Sequence, residues 1–257
     1  MINILKTNEI IISQDNRKKT LFEIKRINYS NDSNDLFQYL LHSLTKTKII
    51  KNYTILDDGN SIILNASSIK SYEEFKREER NVNKTNKLPY FNLLKMTYYL
   101  SKQLSYLIKN ESKCFYTYDT TNIFVINDNI FVYLSQEHLK EIKNDNIYIY
   151  SPISKSNNYL SPELSNITTL PIIINYKTIF YSLGLLLTES IQSDEEIDQS
   201  IDQSIDQSID QSIDQSIDQS IDQSIDNKLN TFKETKLYYF LERCLKPSPN
   251  ERYLLYI

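Results

Sequence analysis

Glycine is nearly missing from this 257-residue chain, which holds two, Gly59 and Gly184, where average usage is roughly 7%. Neither lies in a GxGxxG or GxxxxGK[ST] pattern, so dinucleotide folds and P-loops, which need glycine for tight turns and close backbone approach to phosphate, lack their raw material. Tryptophan is absent. The two cysteines, Cys114 and Cys244, have no CxxC spacing, and the two histidines, His42 and His138, have no paired ligands nearby in sequence. No structural zinc or other metal site is expected. The longest apolar region, around Thr178 to Leu187, is shorter than the ~20 residues of a membrane span. The start, MINILKTNEI, lacks a basic stretch followed by an apolar one. The expectation is a cytoplasmic protein with reduced thiols and no membrane partner. No cluster of Lys and Arg interleaved with aromatics stands out, so nucleic acid is not an expected partner either.

What the chain does have is enough apolar content, 40%, for a sizeable core. Abundant Asn, Ile, Lys and Tyr beside scarce Gly is what an AT-rich genome encodes, a large DNA virus being one such source. Twenty tyrosines are spread throughout and point to no partner. Lys and Arg number 29 against 33 Asp and Glu, a formal net charge of −4. That figure misleads, because residues 197–224 are seven copies of Ile-Asp-Gln-Ser followed by Ile225-Asp226. The repeat holds eight Asp and no basic residue, so without it the remainder carries +4, and +7 without the lead-in Asp194, Glu195 and Glu196 as well. On a helix the Ile row drifts about 40° per copy, and on a strand neither face is apolar. Residues 194–226 are therefore expected to be a disordered or frayed-helical surface insert, a tolerated passenger or an interaction tether.

Elsewhere the pattern changes near Leu88. Before it come β-like runs at Glu9 to Ser13, Leu21 to Ile27, Tyr53 to Leu56 and Ser61 to Leu64, the last two joined by Asp57-Asp58-Gly59-Asn60. A helix-like segment from Asp35 to Leu44, with Ser33 or Asn34 as N-cap, lies between the second and third runs. Lys76 to Lys87 is mixed in charge and reads as a solvated helix or hinge. After Pro89, the rhythm Leu93, Met96, Leu100, Leu104, Leu107 predicts an amphipathic helix over Phe91 to Lys109. Asn122 to Ile126 and Ile130 to Leu134 flank the turn Asn127-Asp128-Asn129 as a hairpin. An irregular Ser- and Asn-rich segment follows, then a helix from Tyr176 to Ser190, apolar around most of its circumference and so expected to be buried. A last helix is expected from Thr235 to Leu245.

Several motifs, taken in order, resemble the eukaryotic-type protein kinase superfamily. Tyr159-Leu160-Ser161-Pro162-Glu163 is similar to the Ala-Pro-Glu box closing an activation segment. Tyr181-Ser182-Leu183-Gly184 and its aliphatic continuation resemble the WSLG helix. Cys244-Leu245-Lys246-Pro247-Ser248-Pro249-Asn250-Glu251-Arg252 resembles the CLxxDPxxR element. The resemblance implies an α+β, bilobal fold: a small β-rich N-lobe over residues 1–88 and a larger, mainly α-helical C-lobe over 89–257, interrupted by the repeat. It also implies a buried structural ion pair between Glu163 and Arg252.

Its catalytic positions are mostly degenerate. The family needs a glycine-rich loop, a strand Lys paired with a helix Glu, a catalytic-loop Asp, an Asn and a DFG Asp. Asn122 matches the loop Asn, but the base position holds Thr117, whose hydroxyl is no general base near neutral pH. Ser135-Gln136-Glu137 stands at DFG, leaving magnesium without its main carboxylate. Ile179 replaces the buried helix Asp that braces the loop, which implies that the brace is lost. Phe22-Glu23-Ile24-Lys25 resembles the phosphate-pairing strand, making Lys25 and Asn122 candidate ATP contacts. The following helix offers Gln38 and His42 but no Glu, and an ordinary solvent-facing lysine is the other reading of Lys25. Asp119 is either a displaced base or a turn former before Thr120-Thr121, and Glu137 is a candidate displaced metal ligand. The expectation is a pseudokinase that binds a protein partner or acts as a scaffold, through its C-terminal lobe, with ATP and magnesium held poorly or not at all. The alternatives are a divergent active serine/threonine kinase and a helical adaptor unrelated to kinases.

Overall fold

The computed structural model describes residues 1–27, 36–56, 59–84, 88–154, 156–191 and 233–255. The repeat, the cap residues Ser33 and Asn34, and the turn residues Asp57 and Asp58 lie outside them. The described chain is a mixed α+β protein built on small antiparallel sheets. Its strands are at odds with an all-helical fold.

The largest sheet has the order β1-β2-β3-β5-β4, formed by β1 (Ile2–Lys6), β2 (Ile10–Gln14), β3 (Leu21–Arg26), β4 (Tyr53–Ile55) and β5 (Ser61–Asn65). Register sets Ile12 beside Ile24 and Ile24 beside Ile62. Strand alternation then puts Ile10, Ile12, Phe22, Ile24, Ile62 and Leu64 on one buried face. Helix α1 (Leu36–Thr45) adds Phe37, Leu40, Leu41 and Leu44 to the same core. Each such side chain contributes about 1.5–3 kcal/mol when fully buried. β1 went unnoticed in the sequence for a physical reason. It is an edge strand with Ile2 55% and Ile4 37% exposed, so no buried face marks it.

A three-stranded sheet, β6-β8-β9, joins β6 (Ile69–Ser71) to the hairpin of β8 (Ile123–Ile126) and β9 (Ile130–Tyr133). Asn127 and Asp128 take positive φ of 55° and 57° at its turn, a conformation these two residue types tolerate. Helix α2 (Tyr72–Asn83) starts four residues before the segment read as a solvated helix. Ser71 caps it, accepting from Glu74 N at 3.2 Å, and Glu73 and Glu74 sit in its first turn. Phe75 meets Phe131 edge-on at 5.5 Å, and the Tyr72 hydroxyl lies 2.6 Å from Ser190 Oγ. The change of sequence character near Leu88 is thus no gap in packing, since β6 and α2 precede it and join the later half.

Helix α3 (Tyr90–Glu111) buries all five residues of its apolar stripe. Two short ladders follow, β7 (Lys113–Phe115) with β10 (Leu139–Glu141), and β11 (Asn146–Ile149) with β12 (Ile172–Asn175). Strands of three or four residues are too short for a periodic signal, so the irregular reading of the segment after the β8–β9 hairpin missed β10, β11 and β12. Helices α4 (Pro162–Ser165), α5 (Thr178–Glu189) and α6 (Lys236–Cys244) complete the described fold. α5 is buried nearly all round. Gly184 lets it approach the end of α6, because a Cβ there would lie 2.8 Å from Leu245 Cδ2 and 3.2 Å from Cys244 Cβ. Among the described residues no helix is long and apolar enough to cross a membrane.

Candidate functional site

The segment from Thr117 to Asn122 leaves β7 and enters β8 through a single 3₁₀ turn, Thr120–Asn122. Asp119 caps that turn, its Oδ1 accepting from both Thr121 N and Thr121 Oγ1 at 2.8 Å. The turn-forming reading of Asp119 describes this geometry. Thr117 is 1% exposed. Its hydroxyl lies 3.3 Å from Tyr159 O and from Ser182 Oγ, and Asn157 Nδ2 donates to it at 3.2 Å. Tyr118 N donates to Ser182 Oγ at 2.9 Å. The expected loss of the brace at Ile179 is therefore corrected: α5 holds the loop through Ser182, three residues further along, while Ile179 is fully buried core.

After β9 the chain turns through Ser135 to His138. Three donors converge there on the Glu9 carboxylate, which reaches across from the β1–β2 turn. Ser135 Oγ donates at 2.7 Å, Glu137 N at 3.1 Å, and Gln136 N completes the set. Two successive backbone N–H groups and a hydroxyl aimed at one point make an anion-binding concavity, and here the chain fills it with its own carboxylate. His138 N donates to Ser135 Oγ at 3.2 Å, and the imidazole Nδ1 meets the Tyr133 hydroxyl. Burial pushes the His138 pKa down, outweighing Glu137 and Asp119, which raise it. The ring is neutral at pH 7. Burial likewise raises the Tyr116 hydroxyl to about 12.

Two adjoining cavities open around these segments. One, of about 530 Å³, is lined by the β1–β2 turn including Lys6 and Glu9, by Glu73, and by Asp119, Asn122, Glu137 and His138. The other, of about 410 Å³, shares Glu73, Asp119, Thr120, Glu137 and His138 and adds Thr117, Asn157, Tyr159 and Glu189. Asp119, Asn122 and Glu137 are thus brought together. Lys25 is not: it lies exposed on the β3 face opposite Phe22 and Ile24 and lines neither cavity. Its suggested helix partners are also elsewhere, Gln38 against Gly59 and His42 Nδ1 3.7 Å from Glu111 Oε1.

Glu163, in α4, and Arg252 form an ion pair, with Oε1 2.7 Å from the NH2 nitrogen. The Arg252 side chain is fully buried and that of Glu163 is 22% exposed. The contact is Coulombic rather than a well-aligned hydrogen bond, since neither Glu163 oxygen has a hydrogen-bond partner. Arg252 donates instead to Lys246 O and Pro247 O, both at 2.6 Å, and lies over the Tyr181 ring at 4.9 Å. Its charge is thus met from three sides.

Among the described residues no three His, Cys, Asp or Glu side chains stand close enough to hold a metal ion. Glu9, Glu73, Ser182, Glu189 and His138 are the site residues that the sequence did not single out. Glu9 meets its partners across more than 120 positions, and no local spacing carries such a contact. Comparison with known proteins finds no matching family model and no similar curated protein.

Proposed function

We propose that this chain is a kinase-like pseudokinase that works by binding another protein and does not transfer phosphate. The carrying observation is the charge of the cleft. Among the described residues its lining includes the carboxylates Glu9, Glu73, Asp119, Glu137 and Glu189 against one cation, Lys6. Focused negative potential of that kind opposes a polyphosphate.

The residues do not fit MgATP. Thr117, at the base position, is tied into a buried network, and Ser135, at the metal position, spends its hydroxyl on Glu9. Among the described residues the helix after β3 offers the exposed Lys25 no carboxylate. Supporting the kinase likeness itself are the helix between the third and fourth strands of the five-stranded sheet, and the Glu163–Arg252 pair. The bilobal reading, with residues 1–88 and 89–257 as lobes, belongs to this proposal.

A divergent active serine/threonine kinase is the second reading, favoured by Asp119 and Asn122 lining one cavity. Incubation of the full chain with γ-labelled ATP, magnesium or manganese, and a basic acceptor protein separates the two. The expected result is no incorporation above that of Asp119→Asn. Transfer that Asp119→Asn abolishes would overturn the pseudokinase reading.

A further inference from the structure

We propose that the acidic cleft is a docking site for a lysine- or arginine-rich segment of a partner protein. This inference rests on the non-catalytic reading above and names the chemistry of its partner. Beyond Glu9, which is consumed by the turn after β9, the walls present Glu73, Asp119, Glu137 and Glu189. Among the described residues Glu73, Glu137 and Glu189 make no ion pair. The nearby Lys140 donates to the Glu137 carbonyl at 2.7 Å and also faces the Glu137 and Glu9 carboxylates, making no ion pair with either.

One observation besides charge points to a ligand. Asn122 is nine-tenths buried and lines the larger cavity, yet its side-chain amide has no hydrogen-bond partner among the described residues. Buried polar groups are ordinarily satisfied, and each exception calls for an explanation. A hydrogen bond from a guest would satisfy it.

The shape selects the class of guest. The carboxylates are spread over two adjoining cavities of about 530 and 410 Å³, and no three of them converge as a single metal ion requires. A segment carrying several separated cations matches that spread. Guanidinium forks suit it best, because they pair with carboxylates through two parallel hydrogen bonds, with further N–H groups free for an amide oxygen such as that of Asn122.

Fluorescence anisotropy of a labelled nine-residue peptide of alternating Arg and Ser, titrated with the full chain, tests the proposal. The expected results are saturable binding that weakens as salt rises, and at least a tenfold loss of affinity in E73Q/E137Q, both exposed positions. Replacing the eight repeat Asp by Asn is expected to change affinity less than twofold. Affinity unchanged in E73Q/E137Q but lost in the repeat variant would assign binding to the insert and overturn the proposal. So would displacement of the peptide by magnesium alone at constant ionic strength. A parallel melt with MgATP keeps the two readings apart. No peptide binding and no MgATP protection overturns this inference alone, whereas MgATP protection that also displaces the peptide overturns the non-catalytic reading beneath it.

Discussion

His138 owes its state to its surroundings. Buried beside Tyr133 and facing Glu137, Asp119 and Lys140, it is held neutral because desolvation outweighs the two carboxylates. Its folded pKa lies below the unfolded value of 6.5, so the unfolded chain binds the extra proton first. The stability tied to His138 is complete above pH 6.5 and falls as pH drops towards the folded pKa. Melting temperatures of the wild type and His138→Gln, compared from pH 8 to pH 5, check this. The wild type is expected to lose its advantage on acidification, and a difference that does not change with pH contradicts it. At this scale the sequence was partly legible. Asp119 declared itself as a turn former, since an Asp before two Thr residues is a local signal. Ser182 did not, because its value lies in accepting from Tyr118 N, and only the packing of α5 reveals that.

Between elements, the Glu163–Arg252 pair ties α4 to the turn after α6. Removing one member of a buried pair strands the other and costs about 3–5 kcal/mol. Arg252 keeps two carbonyls and the Tyr181 ring, which places Glu163→Ala near about 3 kcal/mol, the low end of that range. For a chain of this size that corresponds to a fall in melting temperature of roughly 6–12 °C. An unchanged melting temperature would count against both the pair and the kinase likeness built on it. The elements were legible in proportion to their length and burial. α3 and α5 announce themselves by a long apolar stripe and by apolar residues all round, and the β8–β9 hairpin by its turn chemistry. β1 buries no face, and β6, β7 and β10 are three-residue strands fixed by partners far along the chain.

Over the whole molecule, charge is partitioned twice. The repeat carries eight Asp and leaves a basic remainder, yet that remainder gathers carboxylates from β1–β2, α2, the 3₁₀ turn, the segment after β9 and the end of α5 around one cleft. A sum over the sequence conceals both facts. The near absence of glycine leaves no material for a glycine-rich phosphate loop, and Glu9, from the turn between the first two strands, fills a cluster of donors with its own carboxylate. Both support the proposal that the cleft does not hold nucleotide. Its most direct measurement is thermal denaturation of the full chain in a titration of ATP with and without magnesium. A ligand at a hundred times its Kd stabilises by about 2.7 kcal/mol, or roughly 5–10 °C here. The account predicts a shift below about 1 °C at millimolar MgATP, well short of that linkage. A magnesium-dependent rise of several degrees would contradict it.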